Sequence, residues 1–171
     1  MKHLAIMPDL SNYDKIYLED SPYQYSSLIE VTARNSSDGH FSAIVGNTMG
    51  ATGLHENSFV VEDNRLMICC SNHIICLTLP DLNLMWSTAA DDITCFEIFK
   101  YKDKYIVHGE LEISCLNRQG QILWRYSGED IFVTINNYDR LILSDNYIIA
   151  RDFNNKTYKI NYDGSTFKPT P

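Results

Sequence analysis

The chain has 171 residues, 44% hydrophobic and 21% charged, a composition that argues against a disordered or fibrous protein. Its 22 acids and 14 bases give a net charge of −8, and a negative field repels phosphate backbones, which argues against direct nucleic-acid binding. Residues 4–7 are too short an apolar run for a secretory signal, and no later run reaches the roughly 20 residues of a transmembrane helix, so we expect a cytoplasmic protein without a membrane partner.

Residues 1–57 predict a β-hairpin with a longer loop. The β-rich runs 28–34 and 41–45 flank a polar loop at 35–40. Residues 14–20 are the one segment in which we expect a helical turn. The Gly-rich segment 46–53 lacks the Lys and the following helix of a phosphate-binding loop, so we interpret it as a linker or a binding loop.

The rest of the chain repeats a pattern of short β-rich runs. The run at residues 64–68 recurs at 104–107 and 139–143, and the run at 73–77 recurs at 111–116 and 147–151. Trp86 and Trp124 lie 38 residues apart. A period of roughly 40 residues is typical of a β-propeller blade of four antiparallel strands.

This repeat predicts an all-β protein, an incomplete propeller-like stack of three to four antiparallel blades in a single domain. The predicted blades are residues 58–90, 91–128 and 129–165. We expect residues 1–57 to form either a degenerate fourth blade or a cap over an open sheet edge.

The second copy is the clearest, with strands predicted at 93–99, 104–108, 111–116 and 121–126. Its segment 112–125 resembles the repeat of pyrroloquinoline-quinone-type β-propellers, in which a strand, a turn ending in Gly and a strand ending in Trp recur. The first copy keeps the Trp without the turn Gly, and the third has a turn at 153–156 without the Trp. The resemblance covers about residues 58–162 and implies a fold but no cofactor, because those propellers hold the quinone in a larger closed ring.

Residue types that carry chemistry do not occur at the spacings of known catalytic or metal motifs. The five histidines are scattered, and the five cysteines lie in apolar runs without Cys-x-x-Cys spacing. We therefore predict buried free thiols, packing roles for both tryptophans, and a protein that is not an enzyme and holds no metal or cofactor. A hydrolase that uses Asp38, His40 or His108 is the least favoured alternative.

Charge is placed unevenly within the repeat, because an acidic pair follows each Trp in the link to the next blade. In an antiparallel blade these links share one end with the turns between the second and third strands. The acids predicted at this end, as a negative face for a protein partner, are Asp91, Asp92, Glu110, Glu129, Asp130 and Asp145. The bases predicted at the opposite end are Arg65, Lys102, Lys104, Arg118 and Arg140. Ordinary solvated loops are the alternative interpretation.

A small acidic protein without catalytic or metal-binding motifs is similar, as a class, to the immunity proteins of bacterial polymorphic toxin systems, including those of contact-dependent growth inhibition. The resemblance rests on size, charge and missing motifs. It implies a partner that is a basic toxin nuclease, whose active site the chain would occlude after electrostatic steering. The alternative function is a propeller-type scaffold or sensor module that binds a peptide or small ligand at a Tyr-rich surface.

Overall fold

A computed structural model describes residues 1–134 and 141–168 of the chain. The first sheet, which we call the N-terminal sheet, has the strand order β1-β3-β4-β2. Its strands are β1 (Lys2–His3), β2 (Lys15–Leu18), β3 (Ser27–Arg34) and β4 (His40–Asn47). The predicted hairpin is present as β3 and β4, which pair antiparallel, whereas β2 runs parallel to β4.

The helical turn expected at residues 14–20 is wrong, because four of these residues form β2. A strand is favoured there since Tyr17 packs into the adjoining core. The hydroxyl of Tyr17 donates to Leu82 O and accepts from Leu84 N, at 3.0 Å each, which fixes β2 against the next sheet. Among the described residues a 3-10 turn lies earlier, at Leu10–Asn12.

Three antiparallel sheets follow, and in each of them strands adjacent in sequence are adjacent in space. We call them blades 1, 2 and 3. Blade 1 contains β5 (Phe59–Glu62), β6 (Arg65–Cys70), β7 (His73–Thr78) and β8 (Leu84–Ala89). Blade 2 contains β9 (Cys95–Tyr101), β10 (Lys104–Gly109), β11 (Glu112–Asn117) and β12 (Ile122–Ser127). Blade 3 contains β13 (Ile142–Leu143), β14 (Ile148–Arg151) and β15 (Thr157–Ile160).

The four sheets stack face to face, with a hydrophobic cluster between each neighbouring pair. In β6, Leu66 and Ile68 pack toward the N-terminal sheet, while Met67 and Cys69 pack toward blade 2. Successive side chains of a strand point to opposite faces, so a strand in the middle of the stack is buried along its whole length. The five cysteines are buried and free, as predicted.

The chain that precedes β3 covers the outer face of the N-terminal sheet. Residues 4–7 and 22–25 border a cavity of about 360 Å³ over Leu28, which is 4% exposed. The Tyr13 hydroxyl donates to the Glu30 carboxylate on the same face, at 2.7 Å. The N-terminal sheet therefore stacks like the expected degenerate blade, while the loops that precede β3 cover the face of this sheet and not a sheet edge.

Two equivalent turns define the strand order of blade 3. Residues 117–121 and 161–165 each begin with an Asn and have a Gly at the fourth position. In both, the backbone N–H of the Asn donates to the carbonyl of the fifth residue, and the carbonyl of the Asn accepts from the N–H of the Gly. Gly120 and Gly164 have positive φ, 78° and 88°, and each lies against the Trp of the preceding blade. Because residues 117–121 join the third and fourth strands of blade 2, β15 is the third strand of blade 3 and β14 is the second.

The predicted alignment of the third copy is therefore wrong by one strand. The repeat placed the second strand at residues 139–143, of which 139 and 140 lie outside the described residues, and the third at 147–151. The error arises because this copy has no Trp to mark a fourth strand. Its turn at residues 152–156 joins the second and third strands, not the third and fourth, and this moves several charged residues to the other end of the blade.

Candidate acidic docking site

The chain passes from blade to blade at one end of the stack, through residues 90–94 and 128–132. The turns between second and third strands, residues 110–111 and 152–156, lie at the same end. We call this end the link margin and the opposite end the turn margin.

A surface depression of about 400 Å³ on the link margin brings together acids from two successive links. Asp92 comes from the first link, and Glu129 and Asp130 come from the second. Glu112, at the start of β11, completes the acidic lining, and Leu111 and Ile131 contribute apolar surface. Four of the described lining residues are acids and none is a base, so the depression has a negative potential.

The most accessible of these carboxylates are those of Asp92 and Glu129, whose side chains are 75% and 74% exposed. Asp130 is partly exposed and accepts bonds from Ile131 N (2.8 Å) and from the Asn154 side chain (2.7 Å). Glu110 lies in the adjoining turn, also partly exposed. Sequence reasoning missed Glu112, although its position two residues after Glu110, at the start of the next strand, was a usable signal.

Asp91 does not belong to this surface, which corrects its predicted role. Its side chain is fully buried, and its two oxygens accept four backbone N–H bonds. The donors are Ile93 (2.7 Å) and Thr94 (3.1 Å) in its own link, and Leu111 and Glu112 (2.9 Å each) in the neighbouring turn. Asp91 therefore stabilises the link margin from inside and presents nothing to a partner.

Asp145 is also misplaced by the prediction, because the turn after β13 lies on the turn margin. The preceding residue, Ser144, accepts a bond from the Tyr162 hydroxyl (2.6 Å). The Tyr162 ring stacks on Tyr101 with 3.5 Å between centroids, and Tyr101 ends β9 at the turn margin. Asp145 is exposed there, on the side of the molecule away from Asp92.

Two bases contact the acids of the link margin, contrary to the expectation that bases are nearly absent from it. The Arg125 guanidinium lies 2.9 Å from Glu112 and 3.7 Å from Asp92. Lys156, in the turn of residues 152–156, pairs with Glu129, and this hydrogen bond raises the pKa of Lys156. The negative charge of the margin is thus partly compensated from outside the depression.

At the turn margin, acidic and basic side chains form a network of ion pairs and hydrogen bonds that connects blades 1 and 2. Glu62 is buried and pairs with Lys100 (2.9 Å) and Arg118 (3.3 Å). Burial by itself raises the pKa of Glu62, but bonds from Tyr105 and Lys100 and the charge of Arg118 outweigh it and lower the pKa. Arg65 is buried and donates to Arg118 O (2.9 Å), so it is structural, and Arg140 lies outside the described residues.

His108, one of the alternative catalytic residues, has both ring nitrogens engaged within the protein. Nδ1 lies 2.9 Å from a Glu97 carboxylate oxygen, and Nε2 lies 2.9 Å from Phe132 O. In residues 1–134 and 141–168, no group of His, Cys, Asp and Glu side chains is placed to hold a metal ion. Nor does that part of the chain contain a helix long and apolar enough to cross a membrane.

No family model matches the chain, and no curated protein matches it either. Solved structures do. BamB from Moraxella catarrhalis aligns with a TM-score of 0.57 and 13% identity over 88% of this chain and 47% of BamB. The computationally designed Ika8 protein aligns with a TM-score of 0.52 and 12% identity over 72% of this chain and 39% of Ika8. The designed Ika4 protein aligns with a TM-score of 0.50 and 10% identity over 74% of this chain and 80% of Ika4.

The chain spans less than half the length of BamB and of Ika8. At such low identities the likeness concerns the fold alone. BamB is a β-propeller, and its alignment includes most of the sheets described above. The chain therefore has an all-β, incomplete propeller-like fold, as its repeat predicts.

Proposed function

We propose that the protein is a non-catalytic binding protein that docks a basic protein surface onto the acidic depression of its link margin. The observation that supports this proposal is the described lining of the depression, which holds three carboxylates from two successive links, a fourth from the start of β11, and no base. Complementary charge steers the encounter of two proteins and fixes their relative orientation.

The depression has the chemistry to receive a lysine or arginine side chain of the partner. Leu111 and Ile131 offer apolar surface for the methylene stem, while the carboxylates of Asp92 and Glu129 receive the charged head. Glu129 exchanges its exposed partner Lys156 for the incoming cation, which costs little because exposed ion pairs are weak, on the order of 0–1 kcal/mol.

The finer proposal is that the partner is a basic nuclease of a toxin system and that the chain is its immunity protein. A nuclease binds the phosphates of its substrate with clustered Lys and Arg side chains, so its substrate cleft is the most cationic part of its surface. A protein of net charge −8 that docks there blocks the substrate without any chemistry of its own.

The test is affinity capture from the native host with three forms of the chain. They are the wild type, the margin variant Asp92→Asn/Glu129→Gln, and the control Asp81→Asn/Asp145→Asn, which removes the same charge from exposed turns at the turn margin. We expect wild type and control to retain one basic protein, the margin variant to lose most of it, and the captured protein to show nuclease activity that the chain inhibits stoichiometrically. Equal capture by all three forms contradicts the docking site, and a captured partner without nuclease activity contradicts the immunity role.

A groove between the N-terminal sheet and blade 1 favours a second candidate function, a scaffold or sensor that binds a peptide or small ligand. The groove has a volume of about 410 Å³, and Ile16, Tyr17, Ile75 and Leu84 form most of its apolar lining. Binding there would be insensitive to salt and abolished by Leu84→Asp, whereas docking at the link margin would be unaffected by that change. A ligand screen followed by methyl NMR shifts at Ile16 and Leu84 distinguishes the two.

A further inference from the structure

The groove between the N-terminal sheet and blade 1 has a polar end at the link margin. The parallel strands β2 and β4 finish there beside the start of β7, which brings Glu19, Asn47 and His73 together. Of the described residues that line the groove, Glu19 is the one acid and none is a base. This end of the groove therefore has a negative potential.

The Glu19 carboxylate is held in place through one of its two oxygens. Its Oε2 accepts from the backbone N–H of Thr48 (3.0 Å) and from the hydroxyl of the same residue (2.5 Å). These bonds lower the pKa of Glu19, so the side chain is charged at neutral pH. Its Oε1 makes no hydrogen bond to the described residues and is available to a cation.

The His73 ring can offer either a donor or an acceptor to the groove. Its Nδ1 lies 2.8 Å from Asn72 Oδ1, an acceptor, and 3.1 Å from Asn47 Nδ2, a donor. Nδ1 is therefore bonded whether or not it carries the ring proton, and Nε2 has no hydrogen-bond partner among the described residues. Burial lowers the pKa of His73 despite the charge of Glu19, so the ring is uncharged at neutral pH and does not repel a cation.

The rest of the groove is apolar and open to solvent. Ile16, Ile75 and Leu84 line it, and Ile16 and Leu84 are 46% and 44% exposed. Leu84 lies opposite Leu77, and His73 begins the same strand, so the apolar end is about 13 Å from the polar end. A concave apolar surface with a few polar groups at one end is typical of a ligand site.

We infer that this groove binds an ammonium group joined to an apolar body. The ammonium lies between the Glu19 carboxylate and His73 Nε2, with the ring proton on Nδ1, and the body lies along Ile75 and Leu84. Charge selects this head group, because an anion would face the Glu19 carboxylate and a neutral group would leave it without a counter-charge. The inference rests on the second candidate function and names the ligand class of its groove.

Two kinds of ligand have this chemistry, a small apolar amine and the N-terminus of a peptide whose first residues are apolar. The groove is long enough for either, since an extended chain spans about 3.5 Å per residue. The apolar body provides most of the affinity, while the ammonium decides which apolar ligands bind. The ion pair would be partly enclosed by the groove, and such pairs are screened little by salt.

The first test titrates the wild-type chain with phenylbutylamine, with its N-acetyl derivative and with phenylbutyrate, followed by methyl NMR shifts at Ile75 and Leu84. We expect the amine to bind about tenfold more tightly than the other two, because it alone supplies a charged donor. The dipeptide amide Leu-Phe and its N-acetyl form repeat the comparison for a peptide N-terminus, and the tighter of the two amines identifies the source. Equal binding of the amines and their acetyl forms, shifts outside the groove, or no binding of any probe overturns the inference.

The second test repeats the titrations with Glu19→Gln, and with Asp20→Asn as the matched control. Asp20 is also exposed but does not line the groove. We expect Glu19→Gln to remove most of the preference for the amine, Asp20→Asn to keep it, and both variants to bind the acetyl forms like the wild type. A preference that survives Glu19→Gln overturns the inference.

The same variants separate the ligand class from the functions proposed above. Binding of all the probes in the groove without a preference for the amine overturns the ligand class and leaves the second candidate function standing. Capture of a basic protein by the link margin does not involve the groove, so Glu19→Gln should capture it like the wild type. Loss of that capture in Glu19→Gln would contradict a groove that acts on its own ligand, and would overturn the inference.

Discussion

Adjacent acidic residues in the first link divide between the interior and the surface of the protein. Asp91 is buried and accepts four backbone N–H bonds, while Asp92 projects into the acidic depression. The split follows from the bend at residues 91–93, in which the Asp91 side chain turns inward and accepts bonds from Ile93 N and Thr94 N. A pair of identical residues in the sequence thus has two different environments, and only Asp92 is placed to meet a partner.

Asp91→Ala should lower the free energy of unfolding by about 2–4 kcal/mol, because it leaves buried N–H donors unsatisfied. Asp92→Asn should change it by less than about 0.5 kcal/mol, as exposed substitutions do. Urea denaturation of the two variants checks both values, and equal losses would contradict the structural role of Asp91.

Glu97 provides a pH dependence of stability. Burial by itself raises the pKa of Glu97, but the hydrogen bond and charge of His108 and the hydrogen bond of Asn57 together lower it below its usual 4.5. A carboxyl with a lowered folded-state pKa stabilises the fold fully above the unfolded-state pKa, and this contribution is lost as pH falls through the folded-state value.

Glu97→Gln should therefore cost about 1–3 kcal/mol at pH 7, where the wild-type carboxylate is charged and hydrogen-bonded. It should cost progressively less below about pH 4.5, because the wild type loses the same contribution there. Denaturation curves across this range check the trend, with the exposed Asp81→Asn as control. A cost that does not change with pH would show that the carboxylate charge is irrelevant.

At the scale of elements, the Asn-x-x-Gly-x turn is the unit that joins one blade to the previous one. Gly120 and Gly164 take left-handed backbone conformations and place the turn against Trp86 and Trp124. Trp124 Nε1 also donates to Tyr162 O within the second turn (3.2 Å). The equivalent carbonyl in the first turn, Arg118 O, accepts from Arg65 (2.9 Å) instead. Trp86 Nε1 is buried and has no hydrogen-bond partner among the described residues.

Gly120→Ala should lower the free energy of unfolding by about 1–3 kcal/mol, since it puts a Cβ in a left-handed conformation. A Cβ there would lie 2.5 Å from the Trp86 ring. Gly53→Ala is the matched control, because a Cβ at Gly53 meets no atom of the described residues within 4 Å. Thermal unfolding compares them, and similar midpoints would contradict the turn's role.

How much the sequence predicts depends on how local the signal is. Blade 2 was predictable to within about two residues per strand because turn-type residues separate all four strands. The parallel pairing of β2 was not predictable, since it depends on contacts between Tyr17 and a turn 65 residues later. The acids of the two links were found from their period. Asp145 was assigned to the wrong margin because the turn that begins at Asn161 was overlooked.

At the scale of the whole molecule, stacking of the blades brings residues that recur along the sequence together on one surface. Each link ends at the same margin, so acids repeated along the chain become neighbours around one depression. The outer face at one end of the stack is covered by the N-terminal segment, and the acidic depression lies toward the other end, between the links that enter blades 2 and 3. The proposed docking is therefore expected at the blade 3 end of the link margin.

The most direct test of acidic docking is the association rate of the captured partner with the wild type, the margin variant and the turn-margin control at increasing salt. We expect the wild type and control to associate faster at low salt and to slow steeply between about 20 and 300 mM NaCl, as the screening length shortens. The margin variant should be slower at low salt and nearly salt-independent. Identical rates and salt slopes for all three would contradict the account.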